Sequence, residues 1–259
     1  MKYNIELPFY VLHFKVVSLI WWDIMKIPTV EDLINIYDAI IKGIDKEALN
    51  SKDRAYGGII RAGKGSLVEN IAKGMIQIAW DRLNGDQTHL SLNKKKVRIP
   101  IKVDYVKRIK NPEIKSYIQD HFGNYYYELN IDVPVYIDNE LVLGVECKSY
   151  TENAMLKRIL VDFTLLKTQY PTLDCVLLQL ESQLNGDYSN ISQSIIFGSS
   201  STHTLLSYFD VDLYIITLLQ GERKVKKPIH KKEYFKELTS ESIEKAISTF
   251  QNILSKHKK

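Results

Sequence analysis

The stretch NIDVPVYIDNELVLGVECKSYTEN is rich in valine, isoleucine and leucine, and three of its charged residues, Asp132, Glu146 and Lys148, lie among these apolar side chains. Two carboxylates held side by side repel each other unless a cation lies between them. Their oxygens suit magnesium, which keeps several waters and accepts phosphate oxygens as further ligands. Such an ion lowers the pKa of a water, and a neighbouring ammonium stabilises charge that builds on a phosphate. If the fold brings them together, these residues have the chemistry for phosphodiester hydrolysis.

The stretch has the alternation expected of two β-strands joined by a turn. In both runs, 125–137 and 141–147, the odd-numbered positions are apolar or aromatic. Side chains of a strand point alternately to its two faces, so both runs direct their odd face to a core. The even-numbered residues Asp132, Glu146 and Lys148 then share the other face.

The length of the turn decides which residues lie opposite each other. Directly paired residues of an antiparallel hairpin share a face. A two-residue turn would pair Ile137 with Glu140 and direct the two apolar faces to opposite sides. A three-residue turn pairs Ile137 with Leu141 and places Asp132 opposite Glu146. We therefore predict the three-residue turn.

The order and spacing of Asp132, Glu146, Cys147 and Lys148 resemble the D…(D/E)xK motif of the PD-(D/E)xK nuclease superfamily, which includes most type II restriction endonucleases. The resemblance covers residues 60–185. It implies a core of a helix, a three-stranded meander, a second helix and a fourth strand, with the motif on the second and third strands. It also implies that Asp132 and Glu146 bind Mg²⁺, that Lys148 assists the attacking water, and that cleavage leaves 5′-phosphate ends.

Two further residues bear on this resemblance. Ile131 stands where many members of the superfamily have proline before the aspartate. Some members add a glutamate from the first helix as a metal ligand, and Glu69 matches that position. Glu69 also has the spacing of a capping box with Ser66, a helix-starting role that explains it without a metal.

The plainer interpretation of the motif is a solvent-exposed hairpin face on which Lys148 neutralises two acids. The pattern E-x-K occurs three times in the chain, beginning at Glu113, Glu146 and Glu222. Only the copy at Glu146 lies in an apolar strand with an aspartate opposite it, which favours the active-site interpretation. The histidines and cysteines lack the spacing of zinc ligands.

The order of helical and strand patterns predicts an α/β fold with a restriction-endonuclease-like core, formed by a helix, a mixed β-sheet with a central hairpin, a second helix and a strand. Additional helices are expected at the N- and C-terminal ends. We predict a single nuclease domain, 1–259. It would comprise a helical N-terminal region at 1–55, a catalytic core at 60–185, and a C-terminal strand, basic segment and helix at 186–259.

Glycine, serine and capping residues predict the local boundaries. A loop is expected at 54–65, where glycines cluster, with a helix beginning at Ser66. The helix after the hairpin is expected to be capped by Thr151 or Asn153. The serine-rich segment FGSSSTHT is expected to be a loop between two strands. The spacing GxxxxGK at 58–64 approaches a phosphate loop but lacks the following Ser or Thr, which disfavours a nucleotide-hydrolysing domain.

The composition excludes several broad classes of protein. A chain of 259 residues with 45% hydrophobic and 25% charged residues is typical of a globular protein. Two cysteines, Cys147 and Cys175, are too few for a disulfide framework, which fits a reducing compartment. The apolar run PFYVLHFKVVSLIWWDIMK is broken by His13, Lys15 and Asp23 and is too short to span a bilayer. We therefore expect a cytoplasmic protein without a membrane segment.

Positive charge is concentrated in two segments, although the net charge is only +4. Residues 93–115 hold nine Lys or Arg against two acids, and RKVKKPIHKK is a second basic run. Lysines often protect exposed strand edges, but the alternate residues Arg98 and Lys102 would point the same way and track a phosphate backbone. The candidate DNA-binding residues are Arg61, Lys64, Lys94, Lys95, Lys96, Arg98, Lys102, Arg223, Lys226 and Lys227.

The resemblance leads us to expect a type II restriction endonuclease that cleaves double-stranded DNA at a specific sequence with Mg²⁺. A homodimer is expected if both strands of a symmetric site are cut, and Trp21 and Trp22 are candidates for its interface and equally for the core. A DNA methyltransferase is expected as a genetic, not a physical, partner. Two alternatives stay open, namely a structure-specific repair or junction nuclease of the same fold and a non-catalytic DNA-binding protein.

Overall fold

The computed structural model describes residues 27–51, 56–186 and 199–258, so Trp21 and Trp22 lie outside the described residues. Within these ranges the helices are α1 (Val30–Asn50), α2 (Tyr56–Arg82), α3 (Val103–Arg108), α4 (Pro112–Asp120), α5 (Asn153–Lys167), α6 (Ser200–Ser207) and α7 (Ser240–Ser255). The strands are β1 (Leu90–Ser91), β2 (Val97–Pro100), β3 (Tyr126–Leu129), β4 (Val133–Ile137), β5 (Glu140–Thr151), β6 (Asp174–Ser182) and β7 (Leu213–Thr217). None of these helices has the length and apolar character needed to cross a membrane.

A five-stranded mixed sheet forms the centre of the fold, in the order β1-β4-β5-β6-β7. Strands β1, β4 and β5 pair antiparallel, whereas β5, β6 and β7 pair parallel. Helix α5 makes the crossover that parallel pairing of β5 and β6 requires. The predicted α/β fold with a mixed sheet, a central hairpin and flanking helices is confirmed.

Both faces of the sheet are covered. On one face, Val133 and Val145 share a core with α1, α2 and α7, as the alternation predicts. On the other face lies a second core, to which α5 contributes Leu160 and Phe163. The odd-numbered Leu129, Ile131 and Leu141 do not follow the prediction, because they belong to this second core. Pro134, an even-numbered residue of the hairpin, is also buried. The charged residues of the hairpin therefore lie at the margin of a core and not on an open surface.

The turn of the β4–β5 hairpin is shorter than predicted. Asp138 and Asn139 form a two-residue turn with φ angles of 51° and 67°, the conformation of a type I′ turn. A β-bulge leaves Val142 of β5 without a partner on β4, because Val135 pairs with Leu143 and Tyr136 pairs with Leu141. Val133 therefore still lies opposite Val145, the register that the parity of the apolar residues requires. The three-residue prediction was wrong because it assumed regular pairing up to the turn.

Helix α2 corrects both the predicted loop at 54–65 and the helix start at Ser66. The helix runs without interruption over Tyr56–Arg82, so Ser66 lies inside it and has no capping role. A Cβ atom at Gly63 would lie 2.3 Å from Cδ1 of Ile44 on α1. This glycine permits the close approach of two helices, and that packing overrides the low helix propensity of glycine.

The predicted first strand of the hairpin is divided into two. β3 ends at Leu129 and pairs with β2 in a separate two-stranded sheet, while β4 begins at Val133. We call residues 94–129, which contain β2, α3, α4 and β3, the arm. Lys102 is the residue before α3 and lies outside β2. It therefore does not alternate with Arg98 along one strand, as the sequence pattern had indicated.

Two boundaries after the hairpin also differ from the predictions. The residue that precedes α5 as its N-cap is Glu152, not Thr151 or Asn153. The Oδ1 atom of Asn153 instead accepts a hydrogen bond from the hydroxyl of Thr202 at 2.7 Å. The serine-rich segment is not only a loop, since it provides the N-cap Ser199 and the first half of helix α6. The hydrogen bond from Thr202 attaches this helix to α5.

Candidate active site

The side chains of Asp132, Glu146 and Lys148 come together at the hairpin. Lys148 Nζ lies 2.8 Å from Asp132 Oδ2 and 2.8 Å from Glu146 Oε2. It also lies 3.2 Å from the carbonyl oxygen of Cys147. Three oxygen atoms from three residues therefore surround one cation.

Each of these side chains is positioned by the backbone of the hairpin. Asp132 lies in the bend immediately before β4, and its Oδ2 accepts a hydrogen bond of 2.9 Å from the backbone N–H of Cys147. Glu146 and Lys148 are two residues apart on β5 and therefore share a face. The side chains of Asp132, Glu146 and Lys148 are 26%, 13% and 30% exposed. The cluster is thus shielded from bulk water but open to a ligand.

The pKa values of Glu146 and Lys148 are both raised, so the cluster favours the protonated form of each group. Burial raises the pKa of Glu146 to about 7, an effect that Lys148 opposes and Asp132 reinforces. Burial alone would lower the pKa of Lys148, but the carboxylates of Glu146 and Asp132 raise it above its usual value. Lys148 is therefore an ammonium at neutral pH, and it offsets the repulsion between the two acids.

The donor set fits a hard divalent cation. Two carboxylates and a carbonyl oxygen face the same point. Magnesium prefers such oxygen ligands and keeps several waters when a protein supplies only one or two carboxylates. Among the described residues, no three His, Cys, Asp or Glu side chains form a group that could hold a metal. A divalent ion here would therefore depend on Asp132 and Glu146, with water and phosphate oxygens as its remaining ligands.

Glu69 is not brought together with this pair. Its Oε2 lies 2.8 Å from Nζ of Lys94, at the beginning of the arm. Burial raises the pKa of the Cys147 thiol, and the charge of Glu69 is one of those that raise it further. The Cys147 side chain belongs to the core shared with α2. Contact between Glu69 and a metal stays a prediction, and its observed role is an ion pair between α2 and the arm.

Two polar residues near the cluster were missed from the sequence. Burial raises the pKa of Asp162 on α5, while the positive charges of Arg158 and Lys148 lower it. This carboxylate therefore interacts electrostatically with Lys148. Gln179 lies beside Lys148 in the pairing of β5 with β6, is fully buried, and donates to Thr217 Oγ1 at 3.0 Å. A glutamine within the apolar run DCVLLQL was the available signal for the second.

Most of the candidate DNA-binding residues are exposed, namely Arg61, Lys94, Lys95, Lys96, Arg98, Lys102, Lys226 and Lys227. Lys64 is different, since it is only 9% exposed and its Nζ lies 3.2 Å from Nδ1 of His230. Burial lowers the pKa of Lys64 to about 8. The structure does not support the predicted contact between Lys64 and DNA, because helix α2 directs the Lys64 amine into the protein.

Arg223 is half-buried, with its guanidinium carbon 3.6 Å from the centre of the Tyr150 ring. Its Nη1 donates to Oε1 of Gln183, and its backbone N–H donates to the carbonyl of Ser182 at 2.7 Å. These contacts fix the guanidinium over a tyrosine that lies two residues beyond Lys148 on β5. Arg223 is thus held by three contacts beside the strand that carries Lys148.

Comparison with known proteins identifies the family. No protein-family model matches the chain. Among solved structures, a chain of the native BbvCI A2B2 tetramer aligns over 96% of this chain and 93% of that one, with 15% identity and a TM-score of 0.38. The type II restriction enzyme DdeI of Desulfomicrobium norvegicum is 49% identical over 228 residues, which are 86% of this chain and 95% of DdeI. The chain therefore belongs to the family of type II restriction enzymes.

Proposed function

We propose that Asp132, Glu146 and Lys148 form the active site of a Mg²⁺-dependent endonuclease that cleaves double-stranded DNA at a specific sequence. The observation that carries this proposal is the single ammonium of Lys148, 2.8 Å from an oxygen of each carboxylate. The order of α2, the β1-β4-β5 meander, α5 and β6 supports membership of the PD-(D/E)xK superfamily. Residues 60–185 are then the catalytic core of a single domain.

The residues of the cluster have distinct roles in this reaction. Asp132 and Glu146 would hold one Mg²⁺, whose charge would lower the pKa of the attacking water and offset charge on the phosphate. The raised pKa of Lys148 makes it a hydrogen-bond donor and not a proton acceptor at neutral pH. Its ammonium would therefore stabilise the hydroxide and the developing negative charge on the phosphate. Departure of the 3′ oxygen leaves a 5′-phosphate end.

Phosphate contacts that orient the duplex would come from cations on three parts of the chain, all of them exposed except the half-buried Arg223. Arg61 lies on α2, and Arg223, Lys226 and Lys227 lie in the C-terminal segment. The remaining cations belong to the arm. The proposed set is Arg61, Lys94, Lys95, Lys96, Arg98, Lys102, Arg223, Lys226 and Lys227.

Symmetric cutting of both strands would require two active sites related by the symmetry of the duplex, so a homodimer is proposed. A DNA methyltransferase encoded beside the nuclease would protect the sites of the host. Sedimentation of the pure protein, with and without its DNA site, tests the homodimer by measuring the mass of the protein in solution. A monomer that cuts both strands in one binding event would contradict it.

Digestion of a plasmid of known sequence tests the proposed function. Discrete fragments with 5′-phosphate ends are expected with Mg²⁺, and no cleavage is expected with a chelator present. The variant Glu146→Gln should lower the cleavage rate by at least about 100-fold, because a neutral amide removes charge from the proposed metal site. Glu241→Gln is the matched control, since the Glu241 side chain is 75% exposed on α7.

The same digestion distinguishes the alternatives. Binding of duplex DNA without any cleavage would support a non-catalytic DNA-binding protein and overturn the proposal. Cleavage of branched DNA in preference to a linear duplex would support a structure-specific nuclease. Equal cleavage rates for Glu146→Gln and Glu241→Gln would place the active site elsewhere.

A further inference from the structure

The arm carries the excess positive charge of the molecule. Residues 94–129 contain nine Lys or Arg and four Asp or Glu, a net charge of +5, while the whole chain has a net charge of +4. The rest of the chain therefore has a net charge of −1. A positive element on a nearly neutral body attracts a polyanion to that element.

The two helices of the arm bury very little of their own surface. Within them, α3 buries only Val106 and α4 buries only Ile118. Large apolar and aromatic side chains are exposed on the same pair, namely Val103 at 55%, Tyr105 at 52%, Ile114 at 52% and Tyr117 at 60%. Exposed apolar groups of this size are typical of a surface that a partner covers.

The two strands of the arm fix it beside the proposed active site. Val97, Ile99 and Leu129 belong to the core that lies against α5. β3 ends at Leu129, three residues before Asp132. DNA with its scissile phosphate at Asp132 would therefore pass next to the arm.

Helix α4 presents one polar face. Glu113, Ser116, Tyr117 and Asp120 have the spacing of one side of an α-helix, all four are exposed, and they lie opposite the buried Ile118. We propose that this face enters the major groove and that Glu113 and Asp120 accept hydrogen bonds from cytosine amino groups of the recognition sequence. This inference rests on the proposed function and names the element that reads the bases.

The dimensions and rigidity of α4 suit this role. Nine residues make a helix about 13 Å long, and an α-helix fits the major groove, which is about 12 Å wide. Asn111 Oδ1 accepts hydrogen bonds from the first two free backbone N–H groups at 2.9 and 3.1 Å. At the other end, the Tyr117 and His121 rings stack with centroids 4.3 Å apart. Side-chain contacts thus stabilise both ends of the helix without DNA.

The carboxylates on this face decide the kind of base that is read. Phosphates repel Glu113 and Asp120, so these acids oppose binding unless they find donors on DNA. The N4 amino group of cytosine is a donor in the major groove, and Glu or Asp accepts from it. The cations of the arm attract the backbone, while the two acids penalise sequences that lack the amino group.

A second copy of the chain is the other partner that would cover α3 and α4. Each copy would bring an arm with a net charge of +5, and like charges placed against each other oppose association. The charge of the arm therefore favours DNA as the partner.

Cleavage of altered sites tests the inference. After the recognition site is identified on a plasmid, duplexes that carry it with each base pair substituted in turn are digested with Mg²⁺. The wild-type protein is expected to prefer its own site at a cytosine position by about 10- to 100-fold. In Glu113→Gln or Asp120→Asn that preference should fall to a few-fold, because an amide both accepts and donates. Glu241→Gln, outside the arm, should leave every preference unchanged.

The outcomes separate this inference from the proposed function. A wild-type protein that cuts no DNA overturns the proposed function itself. Wild-type cleavage with unchanged preferences in both variants overturns only the role of α4. A changed sedimentation mass with unchanged preferences would show that the face contacts a second copy, and it would likewise overturn the inference.

Discussion

Lys148 and Lys64 are both withdrawn from solvent, yet the fold gives them opposite properties. Burial lowers the pKa of Lys148, but Glu146 and Asp132 raise it by more, and its Nζ is held 2.8 Å from each carboxylate. Burial also lowers the pKa of Lys64, to about 8, and its Nζ contacts a ring nitrogen of His230. A buried lysine acts as a strong cation only where the fold supplies anionic acceptors, a difference that a count of basic residues does not reveal.

The same substitution at both positions should have the largest effect on cleavage. Lys148→Met is expected to slow the single-turnover rate by at least about 100-fold, because it removes an ammonium from the reacting phosphate. Lys64→Met should cleave at the wild-type rate, since Lys64 is buried beside His230. Equal losses in the two variants would contradict the distinction between the two lysines.

Stability should also differ between these variants. Lys148→Met leaves two partly buried carboxylates without their shared donor and should lower the free energy of unfolding by about 1–3 kcal/mol at pH 7. Lys64→Met replaces an amine whose charged form is penalised by burial, so its stability should stay within about 1 kcal/mol of wild type. Urea denaturation measures both values. A larger loss for Lys64→Met would show that its amine is well satisfied inside the fold.

The lowered pKa of Lys64 predicts how stability depends on pH. Its pKa is about 8 in the folded protein and 10.5 in an unperturbed lysine, so between these values the unfolded chain binds more protons. The contribution of Lys64 to the free energy of unfolding should therefore rise with pH, by at most about 1.4 kcal/mol per pH unit. The difference between wild type and Lys64→Met, measured at pH 8 and pH 9.5, isolates the effect. A difference that does not change with pH would contradict it.

The smallest expected effect concerns the helix that buries Lys64. Gly58 lies in α2 and is exposed, and a Cβ there would meet nothing within 4 Å. Gly58→Ala should therefore raise the free energy of unfolding by about 0.5–1 kcal/mol, because alanine favours a helix over the unfolded chain. Gly63→Ala is the comparison, since its Cβ would meet Ile44. A destabilising Gly58→Ala would indicate that this segment is not helical.

The alternation of the hairpin is a local property, which explains why the sequence predicted the grouping of Asp132 with Glu146 and Lys148. The turn was mispredicted because a bulge at Val142 allows two residues to connect the strands without changing the register near Asp132. Bulges are set by packing on both faces of a sheet and have no clear mark in one sequence.

Longer-range features escaped prediction for a different reason. The glycines of α2 read as loop residues, although Gly63 serves the close contact with Ile44. Asp162 and Gln179 join the surroundings of Lys148 only through the packing of α5 and β6. Such contacts depend on which elements become neighbours, and the spacing of residues along the chain does not encode them.

Calorimetric titration of Mg²⁺ into protein without DNA tests the shared cation site most directly. The ammonium of Lys148 contacts the oxygens that would bind the ion, so Lys148→Met should bind Mg²⁺ more tightly than wild type, with one ion per chain. Adding Asp132→Asn to this variant should abolish that binding. Mg²⁺ binding that ignores Asp132, or no gain in affinity when Lys148 is removed, would contradict a single cation site shared by the two carboxylates.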